Sequence, residues 1–189
     1  CLWDSYHGSN LTVAGASWIT TKASGKYTGQ ESFLGNVNNN FTRIPNQYCY
    51  RCYFGKDVKN CNCECVDFAR LMLEKGLTGP LAGIIVEPVQ ASGGQLPAPK
   101  KYLQKLRKLA DDFGALLIYD EIQTYMRIGD WYAANYYDVE PDIIVLGKGL
   151  GAGLPIAAVI IHDRLKGFTM NAEELHTFAN NSVSQVAAL

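Results

Sequence analysis

The sequence predicts an α/β fold with a mainly parallel β-sheet flanked by helices. Short apolar runs recur through the second half of the chain, and segments with helical periodicity separate them. The runs are continuously apolar, as strands buried on both faces of a parallel sheet are. The alternating strand–helix order places the helices on the faces of one sheet. The predicted strands are Leu81–Val86, Ala115–Tyr119, Ile143–Leu146 and Ile156–Ile161.

Helices are predicted before and between these strands. The segment from Pro99 to Phe113 places its apolar residues on one face, and Pro99 and Gly114 suit its two ends. Val66 to Lys75 and Trp131 to Tyr137 are shorter helical candidates. The first forty residues are rich in Ser, Thr, Gly and Asn, so we expect loops with short helical pieces there.

Composition and charge argue against several other classes of protein. Hydrophobic residues are 48% of the 189 residues and charged residues 19%, which is the mix of one globular domain and not of a disordered chain. The net charge of −1, with no basic block, argues against nucleic acid and anionic membranes as partners. The apolar runs are too short to span a bilayer. The absence of a secretion signal predicts a reducing, cytoplasmic location.

Three ionisable residues directly follow predicted strands: Glu87, Asp120 and Lys148. In open α/β sheets, ligands bind beyond the carboxyl ends of the strands. The 28 positions from Asp120 to Lys148 leave room for one crossover helix, so both residues can reach the same edge. Taken alone, the position of Asp120 is compatible with four roles: a base, a metal ligand, a partner for a heterocyclic cation or a helix N-cap.

Lys148 lies between glycines directly after a buried strand. A buried lysine is costly unless it has a chemical task, and burial supplies the depressed pKa that an amine nucleophile needs. The alternative is an ordinary lysine whose ammonium group reaches the surface. The glycines do not form a phosphate-binding loop. A Walker A match needs glycine in place of Asp142, and a dinucleotide fingerprint needs it in place of Ala152.

Five motifs resemble the class-III aminotransferases, a group of fold-type-I enzymes that depend on pyridoxal phosphate (PLP). The motifs are Ser5-Tyr6-His7-Gly8, Ile85-Val86-Glu87-Pro88-Val89-Gln90 with Gly93-Gly94, Asp120-Glu121-Ile122-Gln123-Thr124, Pro141-Asp142-Ile143 running into Gly147-Lys148-Gly149-Leu150, and His176-Thr177-Phe178. They follow the order and approximate spacing of the family. The resemblance implies the large domain of a PLP-dependent transferase, which moves an amino group from an amino donor to a keto-acid acceptor. The chain begins without Met, so we expect it to be the central part of such an enzyme, without the family's terminal parts.

The resemblance also implies a role for each matching residue. Lys148 would hold PLP as a Schiff base and carry the proton between the substrate and cofactor carbons. Asp120 would pair with the pyridine nitrogen and keep it protonated. Ile122 and Tyr6 would cover the two faces of the ring, and Gln123 would hydrogen-bond near its phenolic oxygen.

Three further residues complete the implied site. Thr177 would donate to the cofactor phosphate of the neighbouring subunit, which implies a homodimer with shared active sites. Glu87 and Ser92 would line the substrate pocket. A racemase, an epimerase or a decarboxylase of dialkylated amino acids would use the same cofactor-binding residues, so these reactions remain alternatives.

The sequence departs from the family next to the implied site. The family continues its Asp-Glu-Ile-Gln-Thr motif with glycine and an Arg-Thr-Gly turn, whereas this chain has Tyr125-Met126-Arg127-Ile128-Gly129. Two bulky side chains replace small ones, so the family's substrate size does not carry over to this chain.

A cysteine-rich insertion is predicted near residues 48–65. It contains Cys49, Cys52, Cys61, Cys63 and Cys65. The first pair has the spacing of zinc or iron–sulfur ligands, whereas the Cys-x-Cys-x-Cys group is tighter than usual. A metal-binding interaction module with a degenerate PLP site is therefore an alternative function. We expect free thiols and no metal, because PLP chemistry requires none there.

Overall fold

The computed structural model describes residues 12–15, 41–77, 79–165 and 181–189, and these residues form an α/β fold. The strands are β1 (Thr12–Gly15), β2 (Phe41–Arg43), β3 (Leu81–Val86), β4 (Val89–Gln90), β5 (Leu96–Pro97), β6 (Leu116–Asp120), β7 (Ile143–Leu146) and β8 (Ala158–Ile161). Six of them form a sheet in the order β2-β1-β3-β6-β7-β8, and β4 pairs with β5 separately. The sheet is parallel except between β7 and β8, which run antiparallel. The prediction of a mainly parallel sheet is confirmed.

The prediction of loops and short helices in the first forty residues is wrong at β1. This strand pairs with both β2 and β3, so it lies inside the sheet. Its sequence, Thr-Val-Ala-Gly, is short and rich in small residues, and it gives no apolar run to recognise. Its extended conformation follows from pairing with two neighbours that are distant in sequence, which local propensity does not report.

Four α-helices are described, and three of them follow the sequence prediction closely. They are α1 (Glu64–Gly76), α2 (Lys100–Asp112), α3 (Ala133–Tyr137) and α4 (Ser182–Ala188). Helix α2 begins after Pro99, whose backbone is extended, and Gly114 follows it with a φ of +63°. Helix α4 begins at an N-cap, because Asn181 Oδ1 accepts from the backbone N–H of Val183 and Ser184.

The core lies between the sheet and helices α1 and α2. Apolar side chains from both helices pack against alternate residues of β3 and β6, while the neighbouring residues Ile85 and Ile118 face the other side of the sheet. The hydroxyl of Tyr102 in α2 is buried and donates to the Pro45 carbonyl at 2.9 Å. Among the described residues, no helix has both the length and the apolar character needed to cross a bilayer.

A buried carboxylate fastens the sheet to its surroundings. Asp142, just before β7, accepts from the backbone N–H of Leu117 and from Arg107 of α2, each at 2.7 Å. Arg164, which follows β8, pairs with the other oxygen of Asp142. The Pro-Asp-Ile motif therefore has a structural role in this fold, because it joins β6, β7, α2 and the segment after β8.

Candidate active site

The predicted site residues converge because three neighbouring parallel strands end at the same edge. Strand β6 lies between β3 and β7, so Glu87, Asp120 and Lys148 follow adjacent strands. The charges of Glu87 and Lys148 both act on the Asp120 carboxyl group, which is the electrostatic sign of their proximity. The prediction that these residues gather at the carboxyl ends of the strands agrees with this arrangement.

Lys148 begins a 3₁₀ turn, Lys148–Gly151, that directly follows β7. Its φ of +42° is in the left-handed region, where a residue with a side chain is strained. The ammonium nitrogen Nζ donates to Gln123 Oε1 at 2.6 Å. The expected burial of this side chain is not found: Lys148 is exposed in the described structure, whereas the preceding Gly147 is buried.

Asp120 is the last residue of β6 and is half-buried. Burial raises the pKa of its carboxyl group to about 6, and the charge of Glu87 adds to this increase. A hydrogen bond from the Ile122 backbone N–H to Oδ1, 3.1 Å long, and the charge of Lys148 lower the pKa by less than burial raises it. The site therefore disfavours an unpaired negative charge at Asp120, and a cationic partner would relieve that cost.

Gln123 connects Lys148 to a residue that the sequence did not single out. Its amide nitrogen Nε2 donates to Gln95 Oε1 at 3.3 Å, while its oxygen accepts from Lys148. Gln95 has a φ of +57° and ends the turn that separates β4 from β5. No motif identified Gln95 beforehand, because its position depends on this turn folding back over the strand ends.

Ile122 packs beside the lysine. A Cβ atom placed on Gly147 would lie 3.4 Å from Ile122 Cγ1, so the isoleucine covers the backbone directly before Lys148. This is the part of the site where the resemblance predicts one face of the cofactor ring. Tyr6 and Thr177, predicted for the other face and for the phosphate, lie outside the described residues.

The turn that carries Glu87 is held from both sides. Glu87 Oε2 accepts from the Ala91 backbone N–H at 2.9 Å, which closes the turn onto itself. Gln47 donates through Nε2 to the Glu87 carbonyl at 3.1 Å and to the Leu96 carbonyl at 3.3 Å. Ser92 is exposed on the same turn, as a pocket-lining residue can be. The turn is thus fixed by a segment about forty residues earlier in the chain.

The glycine pair of the Glu-Pro-Val-Gln motif has a steric explanation. Gln90 is almost fully buried, and its Oε1 accepts from Asn46 Nδ2 at 2.6 Å. A Cβ atom on Gly93 would lie only 2.6 Å from Gln90 Cδ. Gly93 therefore leaves the space that the pinned Gln90 side chain occupies, and the Gly94 φ of +114° suits the turn that follows.

Glu121 has a role that sequence reasoning missed. It is fully buried and accepts from the backbone N–H groups of Ala133 at 2.6 Å and Ala134 at 3.1 Å, at the start of α3. Thr124 Oγ1 donates to it at 3.1 Å. Burial raises the pKa of Glu121, and these three donors offset part of the increase. In the sequence, only the adjacent pair of acidic residues could have indicated this role. Asp120 lies at the end of the strand in the candidate site, whereas Glu121 caps the start of α3.

Tyr125 and Met126, the two bulky residues that differ from the family pattern, take different positions. Tyr125 is buried, and its ring lies 5.3 Å from that of Tyr132, between ring centroids. Its carbonyl oxygen would lie 3.5 Å from a Cβ atom on Gly149, so its backbone lies close to the turn that carries Lys148. Met126 has a φ of +58° and is exposed. Of the two, Tyr125 thus lies beside the turn that carries Lys148.

The five cysteines of the insertion are all free and line one cavity. In the described ranges, no three His, Cys, Asp or Glu side chains form a group that could hold a metal ion. Burial and the neighbouring thiols raise the pKa of Cys63 to about 11 and that of Cys65 to about 12. The metal-binding alternative thus finds no preformed site in this part of the chain.

Comparison with known proteins identifies the family. The model of the protein family described as aminotransferase class-III matches residues 3–189 of this chain. The chain belongs to the class-III aminotransferase family. A leucine/methionine racemase of Thermococcus litoralis is 34% identical over 98% of this chain and 40% of its own length. An acetylornithine aminotransferase of Methanocaldococcus jannaschii is 41% identical over 62% of this chain and 30% of its own length. The chain thus spans less than half of these curated class-III relatives.

Solved structures of transaminases share the fold. An amine transaminase from an uncultivated Pseudomonas species, in its PLP-bound form, has a TM-score of 0.76 at 25% identity and covers 94% of this chain and 44% of that chain. An omega-transaminase from Thermomicrobium roseum has a TM-score of 0.71 at 25% identity, over 85% of this chain and 38% of that chain. The predicted fold-type-I transferase fold is confirmed.

Pyridoxal phosphate fits the described residues of this class-III chain. Asp120 is a half-buried carboxylate with a raised pKa, and a protonated ring nitrogen would supply its missing cation. Lys148 presents an exposed amine at the same strand edge, where Gln123 holds it. The family match and the PLP-bound neighbour indicate pyridoxal phosphate as the cofactor.

Proposed function

We propose that this chain carries the central part of the large domain of a PLP-dependent aminotransferase, which moves an amino group from an amino acid or amine to a keto acid. The observation that carries this proposal is the convergence of Asp120, Gln123 and Lys148 at the ends of two adjacent strands, with Lys148 Nζ 2.6 Å from Gln123 Oε1. When bound, PLP supplies an electron sink that permits bonds to the amine-bearing carbon to break.

Lys148 is the proposed catalytic base and cofactor anchor. Its exposed amine would hold the cofactor, and once free of it the same nitrogen would take a proton from the substrate carbon and return one. Gln123 Oε1 accepts from Nζ and orients it. The flexible side chain of lysine suits an amine that must reach first the substrate carbon and then the cofactor carbon.

The remaining site residues are proposed to bind and orient the cofactor and the substrate. Asp120 would keep the ring nitrogen protonated, because an adjacent carboxylate favours the cationic form of that nitrogen. Ile122 would pack on one ring face, and we retain Tyr6 for the other face and Thr177 for the phosphate. Glu87 and Ser92 line the substrate side, and the bonds that close the turn around Glu87 support that placement.

A racemase is the second candidate. The relative from Thermococcus litoralis that is 34% identical over 98% of this chain is described as a leucine/methionine racemase. Racemisation needs the same proton removal but no amino acceptor, because the proton returns to the opposite face. Incubating the intact protein with one enantiomer of an amino acid separates the two: conversion without a keto acid supports the racemase, and conversion that requires one supports the aminotransferase.

The test of the proposed site is covalent retention of the cofactor. The intact protein, incubated with PLP and reduced with borohydride, is expected to keep a cofactor-labelled peptide at Lys148 in mass spectrometry. Lys148→Ala is expected to lose the label, whereas the matched variant Lys75→Ala, at the exposed end of α1, keeps it. Label at another lysine, or none in the parent protein, would contradict the assignment.

We further propose that the intact enzyme is a cytoplasmic homodimer. The match to Thr177, which serves the neighbouring subunit in the family, supports the dimer. Sedimentation at several protein concentrations measures its mass, and a monomer that still binds PLP tightly would contradict the shared site.

A further inference from the structure

Three side chains form a series of hydrogen bonds across the candidate active site. Lys148 Nζ donates to Gln123 Oε1 at 2.6 Å, and Gln123 Nε2 donates to Gln95 Oε1 at 3.3 Å. Lys148 follows β7, Gln123 lies just after β6, and Gln95 lies in the turn between β4 and β5. The two bonds therefore join the lysine to the turn of residues 87–96, which also carries Glu87 and Ser92.

The direction of these hydrogen bonds follows from the chemistry of lysine. An ammonium group has three donors and no acceptor, so the Gln123 atom that faces Lys148 is the carbonyl oxygen. The amide nitrogen of Gln123 then lies on the other side, and as a donor it needs an acceptor. Gln95 Oε1 is that acceptor. If the Gln123 carboxamide turned over, its amide nitrogen would face the ammonium group and two donors would meet.

The backbone of Gln95 is held on both sides. Its N–H donates to the Ala91 carbonyl at 3.1 Å. The next residue, Leu96, belongs to β5, and its carbonyl accepts from Gln47 Nε2 at 3.3 Å. The Gln95 side chain therefore extends from a fixed backbone position, so its oxygen can serve as a stable reference point for Gln123.

The backbone conformation of Gln95 is unfavourable for a residue with a side chain. Its φ of +57° lies in the left-handed region, which glycine adopts without the steric cost. Gly94, directly before it, already supplies a glycine to this turn. A strained residue with a long polar side chain at a binding site indicates that the side chain has a task there.

We propose that Gln95 is a positioning residue of the candidate active site. It holds the Gln123 carboxamide with the oxygen toward Lys148, and it thereby fixes the place of the lysine amine. Gln95 acts through Gln123 and is not itself a catalytic residue. The orientation of Gln123 is a property of the cofactor-free protein, and only the effect on catalysis rests on the proposed function.

The orientation is tested on the intact protein without PLP, by NMR of the Gln123 side-chain N–H signals, which Gln123→Glu identifies by their loss. Gln95→Leu removes the acceptor, so we expect one of the two proton signals to move upfield. Gln95→Glu offers a charged acceptor, which forms the stronger bond, so the same signal is expected to move downfield. Gln104→Leu, which changes an exposed glutamine of α2, is the control and leaves both signals in place. Unchanged Gln123 signals in Gln95→Leu would overturn the proposal.

The effect on catalysis is measured on the PLP-loaded protein, in whichever of the two proposed reactions the parent performs. Gln95→Leu is expected to lower kcat about tenfold and to change KM less than about twofold, because a displaced amine alters the reacting geometry more than substrate binding. Gln95→Glu keeps an acceptor and is expected to retain most of the parent kcat. An unchanged kcat in Gln95→Leu would overturn the positioning role.

The loss must also depend on Gln123. In protein that already carries Gln123→Leu, the addition of Gln95→Leu is expected to lower kcat no further, because the acceptor has no amide left to hold. An equal loss in both backgrounds would show that Gln95 acts independently and would overturn the proposal. A parent that is inactive in both reactions would contradict the proposed function, whereas the NMR signals still decide the orientation of Gln123.

Discussion

The Asp120 carboxylate ends a buried strand, where burial raises its pKa from an ordinary value near 3.8 to about 6. Because burial outweighs the opposing charge of Lys148, the charged form is disfavoured in the folded protein and not in the unfolded chain. Its stabilising contribution is therefore complete below the unfolded pKa and is lost as the pH rises through about 6. Asp120 is thus suited to bind a cationic partner, and its burial lowers the stability of the cofactor-free protein above about pH 6.

Asp120→Asn is expected to stabilise the cofactor-free protein at pH 8 and not at pH 3.5. A shift of about two pKa units corresponds to roughly 2–3 kcal/mol. Urea unfolding at the two pH values measures the difference, and Asp163→Asn, at an exposed position, is the control. The same variant is expected to bind PLP more weakly. Equal stability of variant and parent at pH 8 would contradict the raised pKa.

Gly93→Ala is expected to destabilise the protein by roughly 1–3 kcal/mol, the usual cost of overpacking. The new methyl group would lie 2.6 Å from Gln90 Cδ, and Asn46 prevents Gln90 from moving aside. Gly76→Ala, in helix α1 with nothing within 4 Å of the new atom, is the matched control and is expected to be neutral or slightly stabilising. Thermal unfolding of both variants checks the contrast.

At the scale of elements, the sequence predicted those whose own residues decide their structure. Strands β3 and β7 have the predicted bounds, because each is a continuous apolar run that ends at a polar residue. Strand β1 was missed, because its pairing with β3 and not its composition makes it extended. Glu121 and Gln95 were missed for the same reason: their partners, the start of α3 and the side chain of Gln123, come close only in the folded chain.

Helix α3 depends on one buried side chain from another segment. Glu121→Ala leaves the N–H groups of Ala133 and Ala134 without their acceptor, and we expect a loss of roughly 2–4 kcal/mol. Glu121→Gln retains one acceptor and is expected to lose less than half as much. Denaturant titration ranks the variants, and an equal loss for both would show that the charge, and not the bond, holds the helix.

At the scale of the whole molecule, Asp142 joins parts that are far apart in sequence. Asp142→Asn leaves the partly buried Arg107 guanidinium without its buried anionic partner, and we expect roughly 3 kcal/mol of destabilisation. Asp111→Asn removes the other, exposed partner of the same arginine and is expected to cost less than about 0.5 kcal/mol. Unfolding curves of the two variants compare them, and similar losses would contradict the structural role of Asp142.

The left-handed backbone of Lys148 has a consequence for protein engineering. Glycine adopts a φ of +42° without the strain that a side chain brings, so replacing this lysine would relax the turn. A screen that selects only for heat resistance would reward that replacement and thereby discard the amine on which the proposed chemistry depends. Directed evolution of this scaffold should therefore hold Lys148 fixed and seek thermal gains at Ala152, whose φ of +49° is equally unfavourable and whose methyl group has no proposed task.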